Sequence, residues 1–372
     1  MTSEQPPLIC HLKTMRQARG WTQHYLAERV GIKRQAIYDI ESGRYVPNTA
    51  IALELARLLG CKVEGIFEVN EAGEDQPLTM LDPPTGGSSR VALARVRDRL
   101  VGYPLDGKNA MIDGFQAADG IFKTETRRVQ VLSGSKMLET TALLLGCDPA
   151  LTILSAHVAR KAPGTRVQCR FASSQCALEG LAAGNAHLAG SHVHNKDTHQ
   201  SNVSFAKKWL KGAKGVMIGF SRVEEGLMVA PGNPLGIRSV SDLSGKGVRL
   251  VNRDPGAALR ILLDDYLSRA GIPTSAVTGY DDEVKSHAEG AYRVLYRKAD
   301  AALGLRAVAD ACGLDFVTIE SVGCDLVIPS DVVSHPAVSV LLDILQSRSF
   351  HRELSSLPGY DAAQTGTLIA EM

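Results

Sequence analysis

The sequence predicts a multidomain chain of 372 residues, with a small all-α unit first and a larger α/β part after it. Three observations carry that reading. Apolar residues recur at helical spacing through the first 67 positions, punctuated by Gly20, Gly31 and Gly60. From Val129 onwards, short apolar runs alternate with helical stretches. Between the two lies a segment of acidic residues and turn formers, 70–89, followed by short alternating runs.

Composition narrows the class. With 44% hydrophobic and 22% charged residues, the chain reads as an ordinary globular protein. No apolar run is long enough to span a bilayer, and the start lacks the basic flank and apolar core of a secretory signal. A cytoplasmic protein without a membrane partner is therefore expected. The seven cysteines form no CxxC pair, which fits reduced thiols. Charge is uneven. Residues 1–67 carry 9 Lys/Arg against 6 Asp/Glu, a net +3, while the remainder is −2. The sign suits a nucleic-acid-binding N-terminus.

The elements of that N-terminus follow in order. Leu12 and Met15 share a face of a first helix ending near Arg19-Gly20. Thr22 can cap the second, because its hydroxyl can accept an orphan backbone N–H. Leu26, Ala27 and Val30 form its apolar face, and Gly31 ends it. Ile37 and Ile40 bury one side of a third helix, leaving Lys33, Arg34, Gln35 and Tyr38 outward. A short helix exposing Arg, Gln and Lys can enter a major groove and donate to base edges and phosphates. Pro47-Asn48 opens a fourth helix, with Ile51, Leu53, Leu55, Ala56, Leu58 and Leu59 as its apolar positions. A short turn over Val63 to Phe67 closes the unit.

Residues 9–67 resemble the Cro/C1-type helix-turn-helix domain of Xre-family regulators. The carrying segments are Leu12-Lys13-Thr14-Met15-Arg16, Trp21-Thr22-Gln23, Leu26-Ala27, Gly31-Ile32, Ile40-Glu41-Ser42-Gly43-Arg44, Pro47 and Leu55-Ala56-Arg57-Leu58-Leu59-Gly60. The resemblance implies a DNA-reading surface made by Gln23, Lys33, Arg34, Gln35 and Tyr38, with Thr22 at the helix start. It places Arg44 and Tyr45 against phosphates and pairs Arg16 with Glu41.

The middle segment, 71–128, reads as a linker with a small β-rich connector. Val91-Ala92-Leu93-Ala94-Arg95-Val96 and Leu100-Val101-Gly102-Tyr103-Pro104-Leu105 are its strands. It could transmit a conformational change or form a dimer contact.

In the α/β part, Val129-Gln130-Val131-Leu132 runs into Ser133-Gly134-Ser135 and a helix from Lys136 to Leu145. Thr165 to Phe171 runs into Ala172-Ser173-Ser174 and a helix toward Ala183. Ala186 to Gly190 is another strand, and Gly247 to Asn252 runs into Arg253-Asp254-Pro255-Gly256 and a helix through Leu267. Ligand crevices of open α/β sheets lie at the C-terminal ends of the strands. Helix N-termini there suit a small anion. Ser133, Ser135, Ser173 and Ser174 offer hydroxyls, and Lys136 and Arg253 offer charge.

Residues 129–369 resemble a type II periplasmic-binding-protein domain, closest to the intracellular molybdate-binding-protein-like domains fused to helix-turn-helix units. The resemblance rests on Leu132-Ser133-Gly134-Ser135, Ser155-Ala156-His157-Val158, Leu181-Ala182-Ala183-Gly184, Leu188-Ala189-Gly190-Ser191-His192, Glu225-Gly226-Leu227-Met228-Val229-Ala230-Pro231-Gly232-Asn233-Pro234, Val251-Asn252-Arg253, Asp300-Ala301-Ala302-Leu303-Gly304 and Asp325-Leu326-Val327-Ile328-Pro329, with the Ala-Pro-Gly-Asn-Pro and Asp-Leu-Val-Ile-Pro runs the most specific. It implies two lobes around a cleft: lobe one over 129–227 and 329–372, lobe two over 230–325. Ser133, Gly134, Ser135, Ser173, Ser174, Arg253, Gly256, Ala257 and Tyr280 are the implied pocket positions, with Lys136 beside them and His192 at the rim. Pro255-Gly256-Ala257-Ala258 stands where relatives often carry Gly-Ser-Gly-Thr, which removes hydroxyl donors from one wall.

Sharper chemistries carry less. Ser133 to Lys136 fits an S-x-x-K pattern, but the rest of an acyl-enzyme is not apparent. His192, His194 and His199 lie in one polar stretch, without the spacing of a familiar metal site. Neither a P-loop nor a dinucleotide fingerprint is present. No catalytic residue, metal or cofactor is assigned. The expectation is a one-component DNA-binding regulator, not an enzyme. It would act as a homodimer or higher homo-oligomer on a double-stranded operator and sense a small anion, molybdate or tungstate by resemblance. The alternatives are a small organic anion or amino-acid-like metabolite as effector, or an enzyme or ligand-storage module tethered to DNA.

Overall fold

The computed structural model describes residues 8–69, 75–84, 86–107, 115–193, 202–212, 214–245 and 247–372. By internal contacts the chain divides into two compact units. The first comprises Met1–Pro77, Gly86–Arg90 and Ala118–Ser135; the second comprises Leu78–Thr85, Val91–Ala117 and Lys136–Met372. This division differs from one at 70/71 and 128/129. Arg128–Val131 pairs antiparallel with Gly120–Lys123 and with Gln76–Pro77, so backbone hydrogen bonds tie it to the first unit. The two expected connector strands are present: Val91–Val96 pairs antiparallel with Arg99–Pro104.

The first unit holds five helices in its N-terminal part: Leu12–Ala18, Gln23–Val30, Arg34–Glu41, Thr49–Leu59 and Val63–Ile66. Local chemistry sets their ends. Thr22 and Asn48 accept backbone N–H groups three residues on, and Gly31 and Gly60 end helices in the left-handed region at φ 78° and 60°. Leu12, Leu26, Ile37, Ile40, Leu55, Leu59 and Ile66 form one buried core. Leu53 is not part of it; at 57% exposed, it sits off the face defined by Ile51, Leu55 and Leu58. A short antiparallel pair, Leu8–Cys10 with Phe67–Val69, joins the ends of this helical part and was not visible in the periodicity.

The second unit is a two-lobed α/β domain. In lobe one, the strands Arg166–Phe171, Thr141–Gly146 and Leu188–Ser191 run parallel. In lobe two, Leu250–Arg253 runs parallel to Ala301–Leu305 and to Glu283–Val284. Two long antiparallel strands, Gly215–Val229 and Asp315–Pro329, run through both lobes. Their register shifts between Gly219 and Ser221 and between Glu225 and Gly226. Gly226 is needed at that bend, because a Cβ there would collide with the Val317 carbonyl oxygen. Lobe one packs around Phe220, Leu326, Leu341 and Phe350, and lobe two around Leu227, Leu250, Leu262 and Leu303.

One assignment changes. Residues 141–145 are strand, not the end of a helix; the helix spans only Ser135–Glu139. TALLLG is buried at every position, as befits a strand covered on both faces. A continuous apolar run of this length does not distinguish strand from helix by periodicity. The first parallel strand therefore ends at Gly146, and its ligand-facing loop is Cys147-Asp148-Pro149.

Candidate functional site

On the helix-turn-helix unit, Lys33, Arg34, Gln35, Tyr38, Arg44 and Tyr45 are exposed on and just after the third helix. Arg44 stacks over Tyr38 at 5.6 Å, and Gln35 donates to Asp39 at 3.1 Å. Lys33, Gln35, Ala36, Asp39, Arg44 and Tyr45 line a shallow notch. The surface rests on a buried ion pair. Arg16 donates to Glu41 through Nε at 2.5 Å and Nη2 at 3.1 Å. Gln23 donates to the same carboxylate at 2.8 Å, so its side chain is already engaged at the helix start. Thr22 caps the second helix through Tyr25 N–H at 3.0 Å.

The second site lies where the lobes and the crossing strands meet, wholly within the second unit. Arg253 ends the lobe-two strand Leu250–Arg253 and is 3% exposed. Its Nη1 lies 3.2 Å from His287 Nδ1, and its Nη2 donates to the Lys285 carbonyl at 3.1 Å. Its face lies 5.7 Å from the Phe171 ring of lobe one. The Arg253 Nε and the His287 Nε2 are buried without a partner among the described residues. Because Nδ1 of His287 faces a permanent donor, the neutral ring carries its proton on Nε2. Burial, followed by the Arg253 and His192 charges, holds His287 well below the usual histidine range. The lobe-two side thus presents two unused donors.

Facing them are residues from lobe one and the crossing strands. His192 follows the strand Leu188–Ser191 and is 6% exposed. Its Nδ1 lies 3.2 Å from Cys147 Sγ, and its Nε2 lies 3.0 Å from Glu225 Oε1. Ser174 fixes it from below: the hydroxyl accepts from His192 N–H at 3.0 Å and donates to the His192 carbonyl at 2.7 Å. Burial opposes a charge on His192, but Cys147 and Glu225 on either side outweigh it and raise its pKa well above the usual value. Glu225 is fully buried at the register shift. The His192 contact lacks hydrogen-bond geometry, so both carboxylate oxygens are unpartnered among the described residues. Behind them, Asp148 accepts from Tyr360 at 2.6 Å and Ala150 N–H at 2.8 Å. Burial raises the pKa of both Asp148 and the adjacent Cys324 thiol.

The predicted pocket residues separate on this geometry. Ser174, His192 and Arg253 converge; at Gly256 an added Cβ would lie 3.8 Å from Gln175 Oε1 of lobe one. Ala257 is buried as the N-cap of the helix Ala258–Arg269. Ser173 caps the lobe-one helix Ser174–Ala182. Tyr280 points elsewhere: its hydroxyl donates to Asp264 at 2.6 Å, under the Arg260 guanidinium. Ser133, Gly134 and Ser135 belong to the first unit, where Ser133 donates to Asp119 at 2.6 Å. Gly134, Ser135 and Lys136 are exposed and follow the antiparallel strand Arg128–Val131, not a parallel one. Cys147, Glu225 and His287 were missed. The signals for them were the Gly146-Cys147-Asp148-Pro149 turn after an apolar run, and a glutamate inside a strand otherwise buried. His194 and His199 lie outside the described residues. Among the described residues no group of three or more His, Cys, Asp and Glu has metal-holding geometry.

The fold and the site together define a helix-turn-helix domain fused to a two-lobed binding-protein-like domain. The chain belongs to the family described as the PBP superfamily domain, whose model matches residues 155–346, and the helix-turn-helix model matches residues 12–66. An uncharacterized Bacillus subtilis protein, YvgK, is 29% identical over 229 residues, 62% of this chain and 73% of that protein. An uncharacterized Clostridium pasteurianum protein, encoded in the 5′ region of a 2Fe-2S ferredoxin gene, is 34% identical over 113 residues, 30% of this chain and all of its own. An uncharacterized HTH-type transcriptional regulator of Methanothermobacter thermautotrophicus is 44% identical over 63 residues, 17% of this chain and 91% of that protein. Among the described residues no helix is long and apolar enough to cross a membrane.

Proposed function

We propose that the chain is a one-component transcription regulator, acting inside the cell as a homodimer, whose two-lobed domain closes on a small organic anion that also carries a hydrogen-bond donor. The observation that carries this reading is the unsatisfied chemistry of the cleft. Arg253 Nε and His287 Nε2 offer buried donors, and Glu225 offers buried acceptors. Orphaned buried polar groups cost on the order of 1–3 kcal/mol each, and more when charged, so a site that retains them is built for a ligand that satisfies them. An anionic head fits the Arg253–His287 side, and a hydroxyl or ammonium fits Glu225. Molybdate and tungstate supply acceptors for the first but no proton for the second. The amino-acid-like alternative therefore has the better chemistry. The exposed 33–45 face reads DNA, with Arg34 and Gln35 on base edges and Arg44 on phosphates.

The test is a thermal-shift panel of molybdate, tungstate, phosphate, simple carboxylates and amino acids on the full chain. DNA affinity is then measured by fluorescence anisotropy with and without each compound that binds. A ligand at about 100 times its Kd adds roughly 2.7 kcal/mol, which is readily seen. Selective stabilisation by molybdate would restore the oxyanion reading. A bound ligand that leaves DNA affinity unchanged would overturn regulation, because control requires different affinities in two states. Turnover of that ligand would favour a DNA-tethered enzyme.

A further inference from the structure

The same cleft contains an arrangement that simple ligand binding does not need. Cys147 Sγ lies 3.2 Å from His192 Nδ1, and the other ring nitrogen lies 3.0 Å from Glu225 Oε1. A thiol within hydrogen-bond reach of an imidazole, with a carboxylate close on the ring's other side, is an arrangement that activates a thiol. Cys169 shows the contrast within the same domain: it donates to the Leu151 carbonyl at 3.3 Å, and burial pushes its thiol up to about 12. Cys169 is a packing cysteine with no base beside it; Cys147 has an imidazole beside it, a carboxylate 3.0 Å from that ring, and a cleft. Arg253, with its unpartnered Nε, and the unpartnered His287 Nε2 supply an anion site in that cleft.

We propose that Cys147, His192 and Glu225 form an activated thiol that captures a small carboxylate-bearing aldehyde as a reversible covalent adduct, with its carboxylate on Arg253. This rests on the cleft being the ligand site. In the capture step, Cys147 Sγ bonds to the carbonyl carbon and the C=O π pair moves to oxygen. The proton shared by Cys147 and His192 is delivered from His192 Nδ1 to that oxygen. The product is a hemithioacetal; nothing leaves and no oxidant is consumed. Its new hydroxyl is the donor that the Glu225 oxygens lack. Reversal of the same step releases the aldehyde, as a sensor requires.

The experiment labels the full chain with iodoacetamide at pH 6.5 and follows the Cys147 and Cys176 peptides by mass spectrometry. Cys176 is exposed and serves as the internal reference. An ordinary thiol of pKa about 8.5 is about 1% thiolate at that pH. The charged and titratable groups that act on Cys147 are His192, Arg253, Cys324 and Tyr360, with Glu225 and Asp148 interacting with His192 behind it. Cys147 is expected to label at least about tenfold faster than Cys176. Glyoxylate should protect it, and dilution should restore labelling. His192→Gln and Glu225→Gln should slow Cys147 without changing Cys176. Labelling no faster than Cys176, or no protection by glyoxylate, overturns the proposal, and the wild-type comparison needs no variant to fold. If Cys147 is inert while another ligand still shifts DNA affinity, the sensing reading stands and the covalent step falls.

Discussion

On the 33–45 face, Lys33, Arg34, Gln35 and Arg44 all reach solvent. In the interlobe cleft, Glu225, Arg253, His287 and His192 are 0%, 3%, 4% and 6% exposed. Both regions concentrate polar side chains, but the physics differs. A solvated cation on a helix costs almost nothing to keep, so its presence says little until DNA is added. A buried ionisable group without full pairing costs several kcal/mol, so its retention is itself evidence of use. The DNA surface is consequently read from pattern and resemblance, whereas the cleft is read from energetics.

The comparison breaks first at the buried pair beneath the DNA surface. Glu41→Ala leaves Arg16 without its partner and Gln23 without its acceptor. Removing one member of a buried pair costs about 3–5 kcal/mol, so thermal unfolding should show early loss of the helix-turn-helix unit. An unchanged melting profile would mean that this pair is as dispensable as a surface one.

Arg253→Gln removes the permanent cation of the cleft. Charge-assisted hydrogen bonds contribute about 1.5–3 kcal/mol, so affinity for an anionic effector should fall roughly 10- to 150-fold by calorimetry. DNA affinity without ligand should hold. Ser174→Ala should weaken binding less, through a loosened His192, and the exposed Ser135→Ala should leave it unaltered. A stronger effect from Ser135 would place the 133–136 loop in the ligand site.

Arg34→Ala and Gln35→Ala should each cost about 1–3 kcal/mol in specific DNA binding, with base preference altered at Gln35. Arg44→Ala should weaken all sequences alike and reduce the salt slope by about 1. Equal effects of all three on specific and random DNA would refute base reading by this helix.

The smallest effect is on pH dependence. Burial lowers His187 to about 3 and His287 well below 6.5. The unfolded chain then binds protons that the folded chain refuses. Their contribution is complete above about 6.5 and is lost as pH falls toward the folded values. His192 acts oppositely: its folded pKa is raised, so its contribution is complete below 6.5 and is lost as pH rises through the folded value. Urea midpoints of His187→Gln should fall less from pH 7 to pH 5 than those of the parent chain. An identical slope would remove His187 from the account.

Much of the fold was legible in the chain because it is written in local terms. Gly31 and Gly60 stop helices, Thr22 and Asn48 start them, and the apolar spacing of Leu26, Ile37, Ile40 and Leu55 builds a core whatever surrounds it. The strands Arg166–Phe171 and Leu250–Arg253, and the loops after them, were legible for the same reason. The cleft was legible only in part. Ser174, His192 and Arg253 sit at strand ends, where a pattern can place them. Cys147 was hidden because TALLLG reads equally as helix, and Glu225 and His287 because nothing local marks a charge as buried.

By itself, then, the sequence determined the two kinds of domain, the helix boundaries of the N-terminal unit and the outward face of its third helix. Those follow from hydrogen-bonding propensity and apolar period, which act over a few residues. Tertiary structure alone decided that Ser133 donates to Asp119 within the first unit. It also decided that Cys147, His192, Glu225, Arg253 and His287, spread over 141 positions of chain, share one buried space. Two crossing strands and their register shift bring those residues together, and only burial turns ordinary side chains into unsatisfied ones.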